Sequence, residues 1–113
     1  MSDFATSALK IALCQMNSTV GDFSGNALKI REAALRAQNE GAGLVVTPEM
    51  SLTGYPIEDW GLRDDFCEKA RQSLMQLAQD IAGSVPALVG TVWTDEEGQR
   101  RNALVFLRQG KIE

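Results

Sequence analysis

The sequence predicts a mixed α/β fold in the order β-α-β-α-β-β, and it predicts that these elements form one part of a larger layered domain. Three observations lead there. Short apolar, β-favouring runs alternate with longer stretches whose apolar residues recur at helical spacing, the pattern of βα units with parallel strands. The early strands read as apolar on both faces, yet only two helical stretches accompany them, enough to cover one side of a sheet. The 113 residues suffice for one small domain, and Lys111-Ile112-Glu113 reads as the start of a further strand.

The elements follow in order. Residues 1–8 read as an N-terminal tail, and 9–113 as the N-terminal part of a single domain. Leu9 to Met16 is nearly continuous in apolar character, as a strand covered on both faces would be. Val20 to Gly25 carries turn chemistry. From Asn26 to Glu40, Ala27, Ile30, Ala34 and Ala37 line one helical face, with Leu28 and Leu35 widening the stripe, and Gly41 suits the left-handed position past the helix end. Leu44 to Thr47 is a short β-branched run that Pro48 stops. A loop to about Gly61 precedes a longer helix, Asp64 to Ala82, with its stripe at Phe66, Ala70, Leu74, Leu77 and Ile81. Ala87 to Thr94 and Asn102 to Arg108 are strand-like and flank the turn Asp95-Glu96-Glu97-Gly98. Gln109-Gly110 is a further turn.

Composition narrows the function. Eleven basic against fifteen acidic residues, a net charge of −4, offer no electrostatic footprint for nucleic acid and no polybasic patch for a membrane. No apolar run reaches the ~18 residues of a membrane span, and the first residues lack the pattern of a secretory signal. The expected location is the cytoplasm. With no histidine, Ser–His–Asp and Cys–His catalysis cannot be assembled within these residues, nor can a zinc site that needs imidazole. Cys14 and Cys67 have neither metal-motif nor disulfide-framework spacing and read as structural, Cys67 having no evident base or cation beside it in sequence. Trp60 and Trp93 read as packing anchors, and the charges from Glu58 to Asp65 and from Asp95 to Arg101 as solvated surface.

Glu49 draws the eye. It follows Pro48 at the carboxyl end of a strand, where open α/β sheets place ligands. A carboxylate held there can act as a general base, and it can equally be a solvated loop acid. Tyr55 is either a packing residue or a pocket wall.

Leu9-Lys10-Ile11-Ala12-Leu13-Cys14-Gln15-Met16-Asn17, with Val20-Gly21-Asp22 and Gly25-Asn26, resembles the opening of the carbon–nitrogen hydrolase (nitrilase) superfamily. Pro48-Glu49-Met50-Ser51-Leu52-Thr53-Gly54-Tyr55-Pro56-Ile57-Glu58-Asp59 resembles its first catalytic motif, and the Gly-Tyr-Pro-x-Glu-Asp ending resembles the glutaminase domains of glutamine-dependent NAD synthetases in particular. Gly90-Thr91-Val92 and Asn102-Ala103-Leu104-Val105-Phe106 fit the same pattern. The resemblance implies the first half of a nitrilase-type four-layer αββα sandwich. It also implies a Glu–Lys–Cys triad that hydrolyses the side-chain amide of glutamine, in which Glu49 matches the general base and Tyr55 a residue of the glutamine pocket.

The other triad members have no match in this sequence. The family's lysine segment would follow the strand after Gly110-Lys111-Ile112, Lys111 matches only the turn ahead of it, and neither Cys14 nor Cys67 matches the nucleophile. The 113 residues alone are therefore expected to be inactive, with no cofactor of their own. ATP, magnesium and deamido-NAD belong to a synthetase domain, and the full protein is expected to be a homo-oligomer. Two other readings compete: another amidase of the superfamily, such as an ω-amidase or carbamoyl hydrolase, and a short non-catalytic protein that binds a partner through its uncovered sheet.

Overall fold

The computed structural model describes residues 9–57 and 63–113. The expected tail at 1–8, Trp60, and the charges at Glu58 and Asp59 lie outside these. The elements are β1 (Ile11–Leu13), α1 (Phe23–Asn39), β2 (Leu44–Val46), α2 (Asp64–Asp80), β3 (Ala87–Thr94), β4 (Arg100–Arg108) and β5 (Lys111–Ile112). The strands form one sheet in the order β1-β2-β3-β4-β5. β1, β2 and β3 run parallel; β3, β4 and β5 are successively antiparallel. Two crossovers of one hand, stepping in one direction along a sheet, place both helices on the same face.

That face holds the core. Ile30, Ala34 and Ala37 of α1 and Leu74, Leu77 and Ala78 of α2 pack with Val45, Ala87, Val89, Val105 and Leu107 of the sheet. Burial of a side chain such as Ile30, Leu74 or Leu77 contributes about 1.5–3 kcal/mol. A second cluster joins Met50, Phe66, Cys67, Ala70 and Val92, with Phe23 and Phe66 ring centroids 5.1 Å apart.

The opposite face is open. Ile11 pairs with Leu44, Leu13 with Val46, Val46 with Leu88 and Leu88 with Phe106, so these side chains share it. Ile11, Leu13 and Leu104 are 47%, 75% and 53% exposed. The early strands are thus apolar on both faces, as the sequence indicates, but covered on one. The structure is the first half of the αββα arrangement.

Several boundaries differ from the sequence reading, each for a local reason. α1 begins at Phe23, not Asn26, because Asp22 caps it: Oδ1 accepts from the Gly25 amide at 3.1 Å. Gly25 fits this tight cap, since a Cβ there would overlap the Asp22 carboxylate. Leu28 and Leu35 do not widen the buried stripe; they point to solvent, and Asn26 is buried in their place. β1 is shorter than Leu9 to Met16, although single bonds from Gly43 to Lys10 and from Cys14 to Val46 prolong the pairing. α2 stops at Asp80, short of Ala82, with Ile81 as its capping residue. β4 starts at Arg100 rather than Asn102, because Asp95 Oδ1 accepts from the amides of Glu97 and Gln99 and closes the hairpin early.

Candidate active site

β2 ends where Thr47 donates its amide to Leu88. β3 is longer than β2, and the loop from Pro48 to Thr53 takes the vacated place beside it, with the Leu52 amide bonding to the Gly90 carbonyl at 3.0 Å. Gly90 lets the loop lie down: a Cβ there would overlap the Pro48 carbonyl oxygen and sit 2.7 Å from the Met50 nitrogen. A buried polar knot fixes the loop to the strand. Thr47 Oγ1 and Ser51 Oγ are 2.6 Å apart, the Gly90 amide donates to Thr47 Oγ1, and Ser51 Oγ reaches the Gly90 carbonyl. Met50 has a positive φ of 53°, and its carbonyl accepts from the Gly54 amide at 2.8 Å.

The other side of the loop is tied to the turn before α1. Asn26, fully buried in the first turn of α1, donates through Nδ2 to the carbonyls of Thr19 and Leu52 and accepts through Oδ1 from the Thr19 amide, each at 2.9 Å. The Gly21 amide bonds to the Thr53 carbonyl, and Ser18 Oγ to the Ser51 carbonyl. Gly54, at φ +85°, lies against the backbone of Val20, with no space for a side chain.

On this mounting stands Glu49, exposed, at the carboxyl end of β2. Its Oε2 accepts from Asn102 Nδ2 at 2.6 Å. A concavity of about 370 Å³ beside it is lined by Met16, Asn17, Ser18, Pro48, Glu49 and Tyr55, small enough to hold one amino-acid-sized molecule. Tyr55 is 64% exposed and lines the wall of this concavity beside Glu49. A wider concavity of about 800 Å³ follows the edge of β1 and α1 and does not include Glu49.

The cysteines lie elsewhere. Cys14 packs at the margin of the helix-side core, and burial pushes its thiol pKa up. Cys67 is buried on α2, where Arg100 Nε donates to its sulfur at 3.1 Å, and Asp64 pairs with the same guanidinium. A cation therefore does touch Cys67, brought from a strand 33 positions away that helix neighbours could not reveal. Trp93 is half-buried against the core, as expected of an anchor. Among the described residues, no cluster of His, Cys, Asp and Glu could hold a metal ion.

Sequence reasoning missed the supporting residues. Asn26 and Asn102 drew notice only as parts of a pattern. The available signal was chemical: an asparagine at the head of a β-favouring run, and another where a helix stripe needs an apolar residue, both ask for a polar partner.

The sequence pattern of the carbon-nitrogen hydrolase family matches residues 10–112. The chain belongs to that family. It is 43% identical over 108 residues to a glutamine-dependent NAD(+) synthetase of Synechocystis, an alignment covering 90% of this chain and 19% of the relative. A solved glutamine-dependent NAD+ synthetase from Acinetobacter baumannii, in complex with adenosine diphosphate, superposes with a TM-score of 0.79 at 30% identity over 92% of this chain and 19% of that one. A Nesterenkonia amidase superposes with a TM-score of 0.75 at 25% identity, over 93% and 40% respectively. The chain spans about a fifth of the length of the curated relatives it matches. Among the described residues no helix is long and apolar enough to cross a membrane.

Proposed function

We propose that this chain is the N-terminal part of the glutaminase domain of a glutamine-dependent NAD synthetase, with Glu49 as its general base and Tyr55 as a wall of the glutamine pocket. The observation that carries the reading is the placement of Glu49. Glu49 lines a concavity at the carboxyl end of β2, on a loop fixed by Thr47, Ser51, Gly90 and Asn26. The named relatives supply the substrate.

In this reading Glu49 takes the proton from a cysteine thiol supplied by the rest of the protein. The thiolate attacks the glutamine carboxamide carbon, ammonia leaves with that proton, and water hydrolyses the thioester to glutamate. A lysine, also from the rest of the protein, balances the oxyanion. The described residues hold one of the three groups, so the 113-residue chain alone does not turn over glutamine. The ammonia serves ATP- and magnesium-dependent amidation of deamido-NAD in a further domain, a reaction of the cytoplasm. The open apolar sheet face is where the second half of the sandwich packs.

The test uses the complete protein. Glu49→Gln keeps the shape and removes the base, and glutamine-driven NAD formation falls by about 10²–10⁴-fold while ammonia-driven formation persists. Unchanged glutamine use removes Glu49 from the role. The likeness to the Nesterenkonia amidase favours a second reading, a free-standing amide hydrolase. Glutamine hydrolysis with no ATP-dependent conversion of deamido-NAD would select it.

A further inference from the structure

The carboxylate of Glu49 has two oxygens, and the structure treats them differently. Oε2 accepts from Asn102 Nδ2 at 2.6 Å, a close contact for a nitrogen donor, and a carboxylate can only be met there by the amide nitrogen. Among the described residues no basic side chain forms an ion pair with Glu49. Asn102 belongs to β4, paired opposite Val92 of β3, and two positions earlier on β3 is Gly90, on which the loop of Glu49 lies. Both partners are thus mounted on one strand, which sets their separation far better than two loops could.

The loop does not need Asn102 to keep its shape. Thr47, Ser51 and Gly90 hold its backbone from beneath and Asn26 from the side, whereas the exposed Asn102 side chain is hydrogen-bonded to the Glu49 carboxylate. What Asn102 removes is the freedom of that carboxylate to turn.

Resting on the proposed role of Glu49, we infer that Asn102 is its positioning residue: it anchors Oε2 and leaves Oε1 as the oxygen that takes the thiol proton. The reacting group is then oriented before substrate arrives, which acts on turnover and not on substrate affinity.

The experiment compares Asn102→Leu, Asn102→Gln, Glu49→Gln and the double variant Glu49→Gln/Asn102→Leu in the complete protein, measuring kcat and KM for glutamine hydrolysis and the melting temperature. Asn102→Leu lowers kcat by about 10–100-fold, with KM within about threefold and an unchanged melting temperature. Asn102→Gln, which keeps a carboxamide donor, recovers to within about fivefold of the parent. The double variant is no slower than Glu49→Gln, because the anchor has nothing left to orient. Parent-like kcat in Asn102→Leu, a change confined to KM, or a further loss in the double variant overturns the inference. If Glu49→Gln itself hydrolyses glutamine normally, the reading of Glu49 fails first, and the inference falls with it. An inactive Glu49→Gln beside a fully active Asn102→Leu overturns the inference alone.

Discussion

Gly90→Ala places a methyl group against backbone that has no rotamer to escape into. The new Cβ would overlap the Pro48 carbonyl oxygen, sit 2.7 Å from the Met50 nitrogen and 3.1 Å from the Glu49 carbonyl carbon. Ordinary contact lies near 3.5 Å, so the loop must lift by about 1 Å. Lifting strains the Leu52 amide bond to the Gly90 carbonyl and the Gly90 amide bond to Thr47. Overpacking of this kind costs about 1–3 kcal/mol, a fall in melting temperature of roughly 2–6 °C for a domain of about 250 residues that unfolds as one unit. The same displacement carries Glu49, and if Glu49 is the base proposed above, a 1 Å misplacement costs about 10²-fold in rate. The assay is glutamine turnover and thermal unfolding of the complete protein, with Gly83→Ala as the control, since a Cβ at Gly83 meets nothing within 4 Å. A Gly90→Ala protein indistinguishable from Gly83→Ala in both measurements would refute the idea that the loop rests on this glycine.

Asn26→Ala removes the buried side chain that bonds Thr19 on both its amide and its carbonyl and Leu52 on its carbonyl. Stranding these backbone groups costs about 2–4 kcal/mol, read by thermal or urea unfolding, and a loss well below 1 kcal/mol would contradict it. A pH effect is expected at the β3–β4 hairpin. The Arg101 guanidinium, then the Gln99 and Glu97 amides, hold the Asp95 carboxyl below the usual carboxylate range. A value depressed in the folded state means that this group stabilises above about pH 4, with the contribution lost as pH falls through the lowered value. Asp95→Asn therefore melts below the parent at pH 7, and the gap closes in strong acid; a gap independent of pH assigns the effect to the turn's hydrogen bonds instead.

Much of the fold was legible because it rests on periodicity. The stripe Phe66, Ala70, Leu74, Leu77 and Ile81 repeats at helical spacing, and all five residues are buried. The run Ala87 to Thr94 is a strand from first residue to last. The imbalance between two-faced strands and two helices foretold the open face. Where reading failed, side chains had replaced periodicity as the deciding force. Asp22 starts α1 a turn early by capping it, and Leu28 and Leu35 look like core until Asn26 takes the inward position. The site divides the same way. Glu49 was visible because Pro48 and a β-branched run mark the strand end, a local signal. Asn102, 53 positions away, meets it only through the pairing of β3 with β4, which no window of sequence displays.

The double tethering of the Pro48–Thr53 loop bears on where entropy is lost. Fixing one residue's backbone costs about 1–2 kcal/mol, so ordering six of them amounts to about 6–12 kcal/mol. A loop left free would present that bill at every turnover, charged against the binding of substrate. Here β3 beneath and the turn before α1 beside it hold the loop from the moment the chain folds. The cost falls once, as the chain folds, and in the proposed role of Glu49 an arriving substrate meets a loop already ordered.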